Sequence, residues 1–326
     1  MHRTATIILI LLFILLNAGC TGVYSGDKTP ASGTPEKIVV QAPLAPPTAP
    51  LFKMAGEVLP DGTPLEIIFY KSVEEATTRV VKGEADFSVL PVNVAAKLYN
   101  KGVDISLANV STWGILYLVS LESDVREWTD LRGEELYVGA RGSTPDVLTQ
   151  YFLSRSGLKD GEAHLTYLDS PEIARMMING LVKNAVLPEP MLTQVLMNHK
   201  EARVIRDFYS DWQQYEGDST ALPQAGMVVL NQFARNYPGT ISEFHRAYAG
   251  ALDWMVANPA EAAPLVEASA SIPAPVFVQS MERTRLRFVP GSKARADVDV
   301  YLSRLLDFLP EMVGGKLPDE KFYLSD

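Results

Sequence analysis

At 326 residues the chain exceeds the roughly 100–150 of a common single domain, so two lobes or domains are the first expectation. A composition of 47% hydrophobic and 21% charged residues excludes global disorder, and 29 Lys and Arg against 39 Asp and Glu, with no basic run, disfavour nucleic acid as a partner. One cysteine and 4 histidines permit neither an internal disulfide nor a Cys/His zinc cluster, and no metal or cofactor is expected.

Met1-His2-Arg3 is a short basic start, and the uncharged apolar run from Thr4 to Leu16 suits the core of a secretory signal. It is short for a membrane span, which asks for about 20 apolar residues. Asn17-Ala18-Gly19-Cys20 follows and resembles a bacterial lipobox, although Asn17 stands where that pattern has an aliphatic or small residue. Residues 1–20 are therefore expected to be a lipoprotein signal peptide with Cys20 as the lipidation site; an ordinary signal peptide with an incidental cysteine is the other reading. Residues 21–36, rich in Gly, Ser, Thr, Lys and Pro, read as a flexible tether that lets an extracytoplasmic body stand clear of its membrane anchor.

From Lys37 onward short apolar or β-branched runs alternate with helical segments: 37–40, 65–69, 86–90, 136–139, 165–168 and 184–187. This rhythm predicts an α/β fold whose sheets are mostly parallel and flanked by helices. The pattern also repeats. Ser72-Val-Glu-Glu75 opens a helix that ends at Gly83 and is followed by Phe87-Ser-Val-Leu-Pro91; Ser170-Pro-Glu-Ile173 opens one that ends at Gly180 and is followed by Asn184-Ala-Val-Leu-Pro188. Two copies predict two lobes. Trp113 to Val119 reads as a strand crossing between them and Gly226 to Leu230 as the return, giving one lobe from 37–119 and 226–326 and a second from 120–225. Thr240-Ile-Ser-Glu243 reads as a capping box opening a helix that Asn258-Pro259 stops, and Ala294 to Leu309 as a further helix.

Gly83-Glu-Ala-Asp-Phe87, Asp130-Leu-Arg-Gly133, Arg141-Gly-Ser-Thr-Pro145, Leu187-Pro-Glu-Pro190 and Asn258-Pro-Ala-Glu261, in this order over about residues 37–270, resemble the solute-binding proteins of ABC importers. The nearest subgroup is the one handling sulfonates, nitrate, taurine and thiamine precursors. The resemblance implies a two-lobed type II periplasmic binding protein fold and a ligand cleft between the lobes. It implies capture of a small-molecule solute by a monomer that delivers it to an ABC permease with its ATPase.

Ligands of open α/β sheets sit beyond the carboxyl ends of the strands. Four loops leave such ends, so the expected ligand-binding residues are Pro43, Leu44, Pro46 and Thr48 in the first, Pro91 and Asn93 in the second, Arg141, Gly142, Ser143 and Thr144 in the third, and Glu189 in the fourth. Arg141 offers a planar cationic fork, and a helix starting at Ser143 offers free backbone N–H groups to a polar or anionic ligand. The other reading leaves Ser143 as a cap and Arg141 in a surface ion pair. Glu189 reads either as an acceptor for a ligand amine or as an acceptor for its own loop, Asn93 as ligand contact or helix cap. Trp113, on the crossing strand, is expected to stack on a flat ligand, with core packing as the alternative.

No Gly-x-Ser-x-Gly elbow, His-Glu-x-x-His pair or phosphate-cradling glycine loop occurs, so a binding protein is expected and not an enzyme. Two alternatives remain in view. One is a biosynthetic enzyme on the same fold, such as the pyrimidine-forming or menaquinone-pathway relatives; the other is a lipoprotein that senses a ligand for a signalling receptor.

Overall fold

The computed structural model describes residues 33–55, 59 and 62–325, except the side chain of Pro46; the leader, Cys20 and most of the tether lie outside the described residues. In chain order β1 (Ile38–Pro43) leads to α1 (Ala49–Ala55), β2 (Leu65–Tyr70), α2 (Val73–Lys82), β3 (Phe87–Pro91), α3 (Val92–Asn100) and β4 (Ile105–Gly114). After Ile115 come β5 (Leu116–Ser120), β6 (Glu135–Val138), α4 (Thr144–Arg155), β7 (His164–Tyr167), α5 (Ser170–Ile178), β8 (Asn184–Pro188), α6 (Met191–Asn198), β9 (Arg203–Asp207) and α7 (Phe208–Glu216). The chain then runs through β10 (Ala225–Leu230), α8 (Asn231–Asn236), α9 (Pro238–Ala257), α10 (Pro259–Ala270), α11 (Ala274–Met281), β11 (Arg285–Pro290) and α12 (Gly291–Phe308). Among these described helices none is long and apolar enough to cross a membrane.

Two sheets result, ordered β11-β4-β10-β3-β1-β2 and β7-β6-β8-β5-β9. In each, a parallel trio (β2-β1-β3 and β7-β6-β8) is joined on one side by a single antiparallel strand, β10 or β5. Those antiparallel strands are the ones that arrive from the other lobe, so each enters its sheet at the end where the trio's carboxyl termini lie. The repeat seen in the sequence is thus a repeat in space: α2 and α5 occupy equivalent crossovers, and Gly83 and Gly180 end them in the left-handed region, at φ 68° and 70°.

Two boundaries differ from expectation. The first crossing falls at Ile115, so residues 116–119 belong to the second sheet and not to the first lobe; β4 and β5 pair with different partners, which divides the run that reads as one apolar strand. Helix α9 begins at Pro238, two residues before the capping box predicted at Thr240, because proline at the first turn needs no N–H partner and has its φ preset.

Candidate functional site

Pro43 and Pro91 end β1 and β3, Gly139 and Pro188 follow or end β6 and β8, and all four border one cleft of about 570 Å³ between the two sheets. Its floor comes from the crossings: Thr112 near the end of β4, Ile115 and Leu116 on the way into β5, and Gln224 and Ala225 on the way into β10. Leu44 and the start of α2 (Ser72, Val73, Glu74) wall it on the first lobe, Arg141 to Pro145 and the start of α5 (Asp169, Ser170) on the second. A larger groove of about 930 Å³ runs along α4, β7 and the end of α12, outside the sheet-to-sheet space; Arg141 borders both.

The Arg141 loop is held from beneath. Asp146, only 2% exposed, accepts from Gly142 N at 2.7 Å, Gln150 Nε2 at 2.7 Å and Tyr167 Oη at 2.8 Å. Arg141 lays its guanidinium 4.5 Å from the centre of the Tyr167 ring, and among the described residues no carboxylate lies within ion-pair distance of it. Burial first, and then the neighbouring Asp146, push the Tyr167 phenol up to about 12, so it stays a donor.

Two helix starts that border the cleft, those of α2 and α4, differ at their caps. At α2 the cap is complete: Ser72 Oγ accepts from Glu75 N at 3.2 Å and Glu75 Oε2 accepts from Lys71 N at 2.8 Å. At α4 the N-cap Ser143 makes no side-chain capping bond and its Oγ is buried without a partner, although the Asp146 carboxylate reaches back to Gly142 N as Glu75 reaches back to Lys71 N at α2.

Of the residues singled out in the sequence, Pro43, Leu44, Pro91, Arg141, Gly142, Ser143 and Thr144 line the cleft together. Four others do not. Thr48 is fully buried and donates to Pro43 O, closing the first loop on itself. Asn93 is fully buried at the start of α3 and accepts from Thr144 Oγ1 at 3.3 Å, a contact between lobes. Trp113 is core, its Nε1 donating to Arg287 O at 2.8 Å and its ring lying 4.9 Å below the Arg287 guanidinium. Glu189 is 1% exposed, accepts from Thr193 N at 3.0 Å and pairs with Arg283 Nε at 2.6 Å. Pro46 has no described side chain. Thr112 and Gln224 escaped the sequence reading; the only available signal was their place beside the two crossings.

Comparison with known proteins gives the following. A family model described as menaquinone biosynthesis (VitK2_biosynth) matches residues 42–304. No curated protein matches. Among solved structures, an ABC transporter from Parabacteroides distasonis is 27% identical with a TM-score of 0.77, covering 89% of this chain and 99% of its own. The alkanesulfonate-binding protein SsuA from Xanthomonas axonopodis pv. citri, bound to MOPS, is 14% identical with a TM-score of 0.69, covering 88% and 96%. The periplasmic aliphatic sulphonate binding protein SsuA from Escherichia coli is 16% identical with a TM-score of 0.70, covering 86% and 96%. The expected two-lobed periplasmic binding protein architecture is the one these structures share with this chain. With the family model spanning most of both lobes, the chain belongs to the family described as menaquinone biosynthesis, built on the periplasmic binding protein fold.

Proposed function

We propose that the protein is the extracytoplasmic solute-binding component of an ABC importer, held at the membrane through a lipidated Cys20, that captures a small molecule between its lobes and hands it to a permease and ATPase. The observation that carries this reading is the cleft of about 570 Å³, walled by strand-end loops from both sheets and floored by the two crossings. The likeness to an ABC transporter structure at 27% identity over nearly the whole of that chain supports it. A ligand touching both walls stabilises the closed arrangement only by its extra affinity for that arrangement. Moving the population from 1:99 to 99:1 takes about 5.5 kcal/mol of such preference, within reach of a few charge-assisted hydrogen bonds at about 1.5–3 kcal/mol each.

The family match favours a second reading, an enzyme that transforms the molecule held in the same cleft. The two part on the fate of the ligand. Native purification, release by denaturation and mass spectrometry identify the bound molecule; incubation of that molecule with fresh protein returns it unchanged under the transport reading, with a more compact scattering curve. Conversion to a new product establishes the enzyme instead, and superimposable curves with and without ligand remove closure.

A further inference from the structure

The larger groove outside the cleft, about 930 Å³, runs along an open sheet edge. β7 stands at the end of the order β7-β6-β8-β5-β9, and its residues pair with β6 in unbroken parallel register, with no proline and no bulge. His164 N donates to Glu134 O at 2.9 Å and Leu168 N to Val138 O at 3.2 Å, so alternate residues from His164 onward spend their backbone groups on β6. The alternation turns the N–H and C=O of Leu165 and Tyr167 the other way, to the edge, where no strand answers them. Both residues border the groove, and their side chains pack with the cluster that holds Leu136 and Val138 of β6 and Phe152 of α4.

The groove supplies what an added strand needs on that side. Leu153, near the end of α4, Leu158, just after it, and Phe308, the last residue of α12, make its apolar wall. Positive charge stands at both ends of β7, with Arg141 over the Tyr167 ring at the carboxyl end and Lys159 in the turn before His164. Neither cation has a carboxylate within ion-pair distance among the described residues; Glu162, in the same turn as Lys159, is held by Arg132 and by Lys159 N. Among the described residues that border the groove, Asp160 is the one carboxylate.

We infer that this edge is a docking site for an extended acidic peptide segment of a partner protein, which adds to β7 as a further strand. The peptide backbone completes Leu165 and Tyr167, its alternate apolar side chains enter the groove, and its flanking acidic residues meet Arg141 and Lys159. About four residues, at about 3.3 Å each, cover β7. A second copy of this chain fits worse, because pairing two β7 edges antiparallel sets Arg141 of each copy toward Lys159 of the other, like charge on like. The surface lies outside the cleft, so peptide docking and solute capture succeed or fail separately.

The test uses three fluorescein-labelled peptides: Glu-Glu-Val-Thr-Val-Glu-Glu, the same peptide with its three central amides N-methylated, and Lys-Lys-Val-Thr-Val-Lys-Lys. By fluorescence anisotropy the acidic peptide is expected to bind saturably, tenfold or more tighter than the other two. Hydrogen exchange is expected to slow at least tenfold at the Leu165 and Tyr167 amides and to change little at His164 and Thr166, whose N–H groups already serve β6. Leu165→Pro removes an edge donor without touching the ladder to β6 and is expected to weaken the acidic peptide tenfold or more while the unfolding midpoint stays near wild type. Lys159→Glu, at an exposed position, is expected to weaken it at least fivefold and supplies the test should the proline variant fail to fold. No binding of the acidic peptide, equal binding of the basic or the N-methylated one, or protection at β2, the corresponding edge of the other sheet, in place of β7 overturns the inference. A dimer in sedimentation without peptide, with Leu165 and Tyr167 already protected, overturns it in favour of a second copy.

Discussion

Arg283 Nε meets Glu189 Oε1 at 2.6 Å and joins the turn before β11 to the loop after β8, so the carboxylate expected to read a ligand is instead a tie between the lobes. Thr193 Oγ1 accepts from Arg283 Nη2 at 2.7 Å and Tyr117 Oη donates to the backbone carbonyl of Arg283, so both the guanidinium and the main chain of Arg283 are held. Arg283→Met leaves Glu189 buried without its cation and is expected to cost about 3 kcal/mol in denaturant unfolding, whereas Arg283→Met combined with Glu189→Leu recovers most of the loss. A double variant as unstable as the single one shows that the pair contributes more than the burial of its charges costs.

Glu189 also sets a pH dependence. Burial raises its carboxyl above the ordinary value and outweighs the opposing help of Arg283 and Thr193; among the groups around it, Arg283 is the cation and Tyr117 a neutral phenol. A raised folded value means that the folded protein binds the proton more tightly than the unfolded chain, so this contribution to stability is complete below the ordinary Glu range. It is lost as pH rises through the raised value. Glu189→Gln cannot titrate. The stability of wild type minus that of Glu189→Gln is therefore expected to fall with rising pH across that window and then level off; a difference that rises with pH shows the ion pair winning over burial.

Asp146 acts on the cleft through the Arg141 loop. Asp146→Ala removes the acceptor of Gly142 N, Gln150 Nε2 and Tyr167 Oη at once, and the freed donors cost about 1–3 kcal/mol unless water reaches them. Hydrogen exchange at the Gly142 amide is expected to quicken at least tenfold, with little change in the amides of β1 to β3 in the other lobe. Uniform quickening everywhere would mean that Asp146 supports the whole fold and not the loop.

Gly226, like Gly291, packs directly on the backbone of β4: a Cβ at Gly226 would stand 2.0 Å from Asn109 O and 2.9 Å from Val110 Cα. Neither atom belongs to a flexible side chain, so β10 and β4 must separate to admit it. Gly226→Ala is expected to lose about 3 kcal/mol or more. Gly239→Ala in the first turn of α9, where a Cβ meets nothing within 4 Å, is expected to gain about 0.4–1 kcal/mol in the same denaturation series.

What the sequence made legible follows the range of the interactions involved. Helix ends at Gly83 and Gly180, strands before Pro91 and Pro188, and the loops after β1 and β6 are written in a few consecutive residues, and the structure brings these loops to one cleft. Glu189 misled because its partner lies 94 residues away, and Trp113 because its indole N–H answers Arg287, 174 residues away. The floor was illegible for the same reason in reverse. Gln224 gains its meaning from backbone groups of Thr112, Val92 and Ile115, which no local pattern places beside it.

The lobes share more than their crossings. One hydrophobic cluster contains Val110 of β4 and Tyr301 and Leu305 of α12 together with Trp128, Phe152 and Trp212 of the second lobe. Trp212 meets Tyr301 edge-on with ring centres 5.7 Å apart, and Tyr151 meets Phe308 at 6.0 Å. Helix α12 packs on β4 yet reaches the second lobe's α7 through Arg304 and Glu216. Neither lobe can lose its core without exposing part of the other's, so calorimetry is expected to show one unfolding transition whose calorimetric and van't Hoff enthalpies agree. Trp212→Ala should lower that single transition by about 3–5 kcal/mol of stability and not split off the second lobe. Two separate transitions in the wild type would mean that the shared cluster is a soft contact and that closure is free to open it; a single one is consistent with lobes that move without parting the cluster.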